Sequence, residues 1–239
     1  MNLVIDIGNT SIKIGVFKEG DLVFNKSYLP DQAAFVGRDL EKYQIERVAF
    51  CSVAALPTSV ESLISRFAIR MEIDSLTPTP LINNYLTPET LGVDRLVNAV
   101  GASFSFPDRN SLIIDAGTCL KFDLVENGKN YLGGSISPGL QMRYKALHEF
   151  TDRLPLLIPV EETPLVGQST SGSIHSGVLN GMQAEISTII SEYKLRYENL
   201  QIILTGGDAH FFLNRIKTYI FADPVLTLKG LDAILRYNQ

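Results

Sequence analysis

The 239-residue chain is poor in the residues that staple or anchor a protein. Only two cysteines occur, Cys51 and Cys119, which gives neither a disulfide framework nor a metal-ligand spacing and suits a reducing compartment. Three histidines, His148, His175 and His210, share no ligand spacing, so no zinc site is supported. No run of about 18 apolar residues and no basic segment followed by an apolar one occurs, so a cytoplasmic protein without a membrane span is expected. Basic residues number 21 against 26 acidic, a net charge of −5, and no Lys/Arg stripe stands out. Direct nucleic-acid contact is therefore disfavoured. Neither G-x-x-x-x-G-K-[ST] nor a G-x-G-x-x-G after a strand is present, so any nucleotide must be held in another way.

What is present is mixed strand and helix, 45% apolar and 20% charged, as in an ordinary globular protein. Leu3–Ile5 reads as a buried strand and Ile12–Val16 alternates. After the Glu19-Gly20-Asp21 turn, Leu22–Phe24 completes a meander. Helices are expected at about 31–42, 58–68 and 89–104, with Val48–Phe50 as a strand between the first two. At residue 111 the pattern restarts. Leu112–Ile114 is a buried strand ending in Asp115-Ala116-Gly117-Thr118, and Leu120–Val125 alternates up to the Glu126-Asn127-Gly128 turn. Asp6 and Asp115 lie 109 residues apart in matching contexts, which suggests a duplicated domain and not a solenoid of about 20–50-residue repeats. The expected domains are 1–110 and 111–239. A long helix at 170–197, a strand at Ile202–Leu204, a helix at about 208–217 and a last one from about 229 complete the reading.

The repeated turn has a physical use. Gly8 and Gly117 permit a close backbone approach, so N–H groups and the Thr10 or Thr118 hydroxyl can face phosphate oxygens. The adjoining carboxylate can hold a hydrated cation. A plain Asp/Gly hairpin turn would use the same residues, but two copies on matching strands favour the phosphate reading. Thr205-Gly206-Gly207-Asp208 is a further strand-to-helix turn, open either to a ring lying on the glycines or to a simple connection. Leu91-Gly92-Val93-Asp94-Arg95 sets a carboxylate beside a guanidinium. Asp94 could take the proton of an attacking hydroxyl while Arg95 grips an anion. On pattern alone a helix-start aspartate with a solvated arginine is the favoured reading. Gly133–Gly139 is either a cleft lining or a flexible turn, Cys119 reads as a buried strand residue, and Ser169-Thr170-Ser171 reads as a helix N-cap.

Together these segments resemble the type III pantothenate kinases, within the acetate/sugar kinase, heat-shock ATPase and actin superfamily. The resemblance rests on Asp6-Ile7-Gly8-Asn9-Thr10, Gly92-Val93-Asp94-Arg95, Asp115-Ala116-Gly117-Thr118, Gly133–Gly139 and Thr205–Asp208, with Leu154-Pro155 and Lys229-Gly230-Leu231 as further landmarks. It implies a duplicated ribonuclease-H-like α/β fold with two halves around a nucleotide cleft. It also implies ATP-dependent phosphorylation of pantothenate, the first step of coenzyme A synthesis. Carried over, Asp6, Ile7, Gly8, Asn9, Thr10, Ser11, Ile12 and Lys13 would bind the ATP phosphates, with Asp6 near Mg2+ or a similar divalent cation. Thr118, Gly206 and Gly207 would be further ATP contacts, and Asp115 would hold a monovalent cation, K+ or NH4+. Asp94 would be the catalytic base, and Tyr85, Gly92, Val93, Asp94, Arg95 and Thr170 would bind pantothenate. Thr170 would come from the second subunit of a homodimer. Some relatives are described as transcription accessory factors, a role the acidic balance does not favour. One departure stands out. The second turn of the family continues with small or hydroxyl residues, whereas here Cys119 and Lys121 follow, with Lys121 facing either the cleft or solvent.

Overall fold

The computed structural model describes all residues, 1–239. The chain opens with β1 (Asn2–Ile7), β2 (Ile12–Lys18) and β3 (Asp21–Tyr28), then a 3-10 turn at Pro30–Phe35 that runs into α1 (Val36–Leu40). Next come β4 (Arg47–Ser52), α2 (Thr58–Ile64), β5 (Ile69–Glu72), β6 (Ile82–Asn83) and α3 (Val93–Ser105). Three strands follow, β7 (Ser111–Ala116), β8 (Cys119–Glu126) and β9 (Asn130–Pro138), then α4 (Leu140–Glu149), α5 (Thr170–His175) and α6 (Gly181–Arg196). The chain ends with β10 (Gln201–Thr205), α7 (His210–Leu213), β11 (Phe221–Ala222) and α8 (Leu226–Tyr237). No helix is long and apolar enough to cross a membrane.

The chain divides into two compact units. One comprises Met1–Asp108, Val125–Gly133 and Val225–Gln239, the other Arg109–Leu124 and Gly134–Pro224. The first is built on a five-stranded sheet in the order β3-β2-β1-β4-β5, antiparallel from β3 to β1 and parallel from β1 to β5. Strand alternation gives this sheet two faces. Leu3, Ile5 and Ile7, with Ile12, Ile14, Val48 and Phe50, pack against Val36 of α1 and Val60 and Ile64 of α2. Each such side chain contributes about 1.5–3 kcal/mol by leaving water. The opposite face carries Val4 and Asp6 beside Ala49 and Cys51, in register across the β1–β4 pair. On this face α8 packs against β1, and α3 lies along α8. Asn2 Nδ2 donates to Asp232 Oδ1 at 2.8 Å, and Thr227 Oγ1 donates to Asn98 Oδ1 at 2.8 Å. A methyl at Gly230 would run into the Val97 carbonyl, so that glycine in the Lys229-Gly230-Leu231 landmark sets how closely α8 approaches α3.

The second sheet runs β11-β10-β7-β8-β9-β6. Leu112, Ile114, Leu120, Phe122, Ile202 and Leu204 face a layer made by Tyr144 of α4, Met182 and Ile186 of α6, and Phe212 of α7. β7 and β10 are parallel with Asp115 opposite Thr205, which brings the carboxyl ends of both strands side by side.

Several elements differ from the sequence expectation. The helix at 31–42 is a 3-10 turn plus five α residues, because Pro30 starts it and Gln32 Oε1 folds back onto the Leu29 N–H at 3.1 Å. The helix at 89–104 splits into a short turn at Pro88–Thr90 and α3, separated by Leu91 and Gly92 in extended conformation. The run from 170 to 197 contains a π-helical segment at Ser176–Asn180 between α5 and α6. The helix at 208–217 shrinks to the four residues of α7, and the last helix begins at Leu226, earlier than 229. Gly133–Pro138 is not a flexible turn but part of β9, where a side chain at Gly134 would strike the Phe122 carbonyl.

Candidate active site

The first phosphate-type turn grows out of antiparallel pairing. β1 and β2 pair from Asn2↔Phe17 to Ile7↔Ile12, and the Gly8 N–H donates to the Ser11 carbonyl at 3.0 Å. Asn9 and Thr10 are left exposed at the tip, while Ile7 and Ile12 are core side chains, each 1% exposed. Any ligand role of these two isoleucines is therefore limited to their backbone. Lys13 stands directly opposite Asp6 in the ladder, half-buried on the same face.

Strand parity explains where Asp6 points. It alternates with the core-facing Ile5 and Ile7 and so shares its face with Cys51, its partner across β4. Cys51 Sγ lies 3.7 Å from Asp6 Oδ1. Burial pushes the Cys51 thiol well above its ordinary pKa, and the nearby Asp6 and Asp94 carboxylates push it further. The thiol is thus a neutral donor to Asp6, and it also feels the charge of Asp94, 88 residues from Asp6 in sequence. No motif around Cys51 announced this role; only its parity with Asp6 in the parallel β1–β4 pair could have.

Asp94 sits in the first turn of α3 behind Gly92, which occupies the N-cap position. Its Oδ1 accepts from the Arg95 N–H at 2.9 Å. Arg95 is not a solvated surface residue: it is 4% exposed. Its guanidinium lies over the Tyr85 ring, 5.4 Å from the centroid, and Nη1 is 3.4 Å from the Tyr85 hydroxyl. Tyr85 in turn packs on Tyr131 at 6.2 Å and against Gly133, where no side chain would fit. Tyr85, Gly92, Val93, Asp94 and Arg95 therefore form one group, with Val93 a core residue of α3. A half-exposed carboxylate beside a buried, fixed guanidinium can orient an alcohol and an anion together.

The second unit carries its own cluster. Asp115 is the penultimate residue of β7, and the Gly117 N–H donates to the Cys119 carbonyl at 3.1 Å. Lys121 Nζ lies 2.7 Å from Asp115 Oδ2, with both side chains 13% exposed. The Asp208 N–H donates to the Ala116 carbonyl at 2.8 Å, which ties the Thr205–Asp208 turn to the Asp115–Thr118 turn. Gly206 has φ +97 and fits against Ala116 and Asp115 where no Cβ could stand. Thr118 and Gly207 are exposed beside it. Burial raises the Asp208 carboxyl above the ordinary 3.8, with His210 opposing. Cys119, expected to be buried, is half-exposed on β8 because it alternates with the buried Leu120. Thr170 is exposed at the first residue of α5, and Ser169 caps that helix by accepting from the Gly172 N–H at 3.0 Å.

Comparison with known proteins decides among the families that share such turns. The family model for type III pantothenate kinase matches residues 2–192. The type III pantothenate kinase of Phocaeicola vulgatus is 41% identical over 240 residues, covering 100% of this chain and 99% of that one. The chain belongs to the type III pantothenate kinase family. Among solved structures, a conserved Campylobacter jejuni protein described as a Baf family transcriptional activator aligns with a TM-score of 0.63. It is 20% identical, with 99% of this chain and 98% of that one covered. A ROK family glucokinase from Streptomyces griseus, in complex with glucose and AMPPNP, aligns at TM-score 0.55 and 13% identity, over 99% and 98% of the two chains. At these identities the likeness is one of fold, and the fold is the actin-like, duplicated ribonuclease-H-like one of kinases and ATPases.

Proposed function

We propose that this chain transfers the terminal phosphoryl group of ATP to the primary alcohol of pantothenate, with Asp94 as general base. The observation that carries the assignment of the base is the half-buried Asp94 carboxylate at the start of α3, fixed by the Arg95 N–H, with the buried Arg95 guanidinium held on the Tyr85 ring. In the step, the pantothenate hydroxyl oxygen bonds to the γ-phosphorus, the bond from that phosphorus to the β–γ bridging oxygen breaks, and ADP leaves with the electron pair. The alcohol proton passes to Asp94. The transition state is loose, so positioning and charge neutralisation supply most of the acceleration. Arg95 would hold the pantothenate carboxylate, with the Tyr85 ring fixing its plane.

Family membership implies ATP and a divalent metal. The donor set in the first unit fits Mg2+, which binds through one or two carboxylates together with substrate phosphates. Asp6 would hold it, and the ion would neutralise phosphate charge. Asp6 to Lys13 would cradle the phosphates mainly through backbone N–H groups, and Thr118, Gly206 and Gly207 would contact the nucleotide. A homodimer in which Thr170 of one protomer reaches the pantothenate of the other, and a cytoplasmic setting, belong to the same reading. Asp115 as a monovalent-cation ligand does not fit, because its carboxylate already holds the Lys121 ammonium.

ADP release measured with and without pantothenate tests the assignment. Turnover should require pantothenate, and Asp94→Asn should keep nucleotide and pantothenate binding while kcat falls about 10²–10⁴-fold. Acceptor-independent ADP release, or a variant with wild-type kcat, would overturn it.

A further inference from the structure

A lysine at the end of a strand is costly to bury unless its ammonium is held. Lys121 alternates with Leu120 and Phe122, which face the core of the second unit, so its side chain leaves on the face shared with Asp115. There Nζ meets Asp115 Oδ2 at 2.7 Å, the length of a charge-assisted hydrogen bond. The other carboxylate oxygen faces the space that two glycines leave beside it. Oδ1 lies 3.2 Å from where Gly117 would carry a Cβ and 2.6 Å from where Gly206 would. Asp115 therefore presents a carboxylate with one oxygen on a fixed cation and the other beside Gly117 and Gly206. A second monovalent cation on the same carboxylate would sit beside the ammonium in a partly dry site, where like charges repel more strongly than in water.

We propose that the Lys121 ammonium is a built-in monovalent cation at the Asp115–Thr118 phosphate turn, and that this enzyme needs neither potassium nor free ammonium. A lysine ammonium is the tethered counterpart of the ammonium ion, with three N–H donors and no acceptor. It delivers the same charge beside the Gly117 backbone and the Thr118 hydroxyl, where the developing negative charge of a nucleotide phosphate needs it. The inference rests on the reading of this turn as an ATP-phosphate site in a pantothenate kinase.

The test uses the full chain, exchanged into sodium, potassium, ammonium or tetramethylammonium chloride at equal ionic strength. Pantothenate-dependent ADP release and the affinity for Mg·ATP by calorimetry are measured in each. For the wild type, kcat/KM and nucleotide affinity should agree within about twofold across the four salts. Lys121→Ala, and Lys121→Met which keeps most of the apolar stem, should fall about 10²-fold in sodium. Potassium or ammonium should restore much of that loss, and tetramethylammonium should not. A wild type that loses activity or nucleotide affinity on replacing potassium by sodium overturns the inference, whether or not the variants fold. So do folded variants that keep wild-type activity in every salt. Absence of pantothenate-dependent turnover in all four salts overturns the kinase reading instead, and the nucleotide affinities then still decide the role of Lys121.

Discussion

Replacing Gly92 by alanine adds one methyl group beside the proposed base and changes no charge. A Cβ built on Gly92 falls 2.7 Å from Asp94 Oδ1, whereas ordinary van der Waals contact begins at 3.4 Å. The oxygen must retreat by roughly 0.7 Å, on the scale at which misplacement of a reacting group costs about 10²-fold in rate. Gly92 itself has φ −59 and ψ 127, a conformation alanine adopts freely, so backbone strain does not enter. The carboxylate can yield by rotating, at the expense of its 2.9 Å bond from the Arg95 N–H. Losing that bond costs about 1 kcal/mol of stability. For a chain of this length that is about 2–4 °C in Tm. Catalysis loses more, because 10²-fold corresponds to about 2.7 kcal/mol of transition-state stabilisation.

Gly92→Ala should therefore be folded and bind Mg·ATP as the wild type does, with kcat for pantothenate lowered about 10²-fold. Combined with Asp94→Asn it should add little further loss, because both changes remove the same function. A single variant with wild-type kcat, or a double variant whose losses multiply, would refute the claim that Gly92 acts by giving Asp94 its place.

Gly206→Ala forces a side chain onto φ +97 and against Ala116, so it should cost about 1–3 kcal/mol of stability and weaken ATP binding, both measurable by thermal melts with and without nucleotide. Gly230→Ala should destabilise by about 1–3 kcal/mol through the α3–α8 packing, read from urea unfolding. For Asp208 the folded-state pKa is raised by burial, so its contribution to stability is complete below 3.8 and is lost as pH rises through the folded value. Asp208→Asn should consequently raise Tm at pH 7 and leave it unchanged near pH 3; a lower Tm at pH 7 would contradict the burial argument.

The parts of the site that were legible in the sequence are the local ones. Asp6-Ile7-Gly8-Asn9-Thr10 and Asp115-Ala116-Gly117-Thr118 each join a buried strand to an alternating one, and short-range alternation is enough to place both turns. Gly92 before Val93 likewise marks a helix start, although Pro88-Glu89 suggested one four residues too early. Long-range partners are a different matter. Cys51 reaches Asp6 because β4 pairs with β1 in parallel, and the register of that pair is set by Leu3, Ile5, Val48 and Phe50 filling one face of the sheet. Nothing within Phe50-Cys51-Ser52 carries that information. The last helix shows the same limit: residues 225–239 join the first unit through Asn2, Asn98 and Val97, contacts that no local pattern encodes.

Lys121 lies between these cases. Alternation alone left its side chain two destinations, and the six-residue separation from Asp115 across a tight turn brings the ammonium within a hydrogen bond of the carboxylate. Burying both groups to 13% exposure would be unfavourable for either alone. Each is therefore held in part by the other, and substituting one removes a charge partner from a half-buried charge. Each turn thus sets an aspartate against a lysine of the following strand. Asp6 stands opposite Lys13 in the β1–β2 ladder and meets the Cys51 thiol across β4, and Asp115 is ion-paired with Lys121.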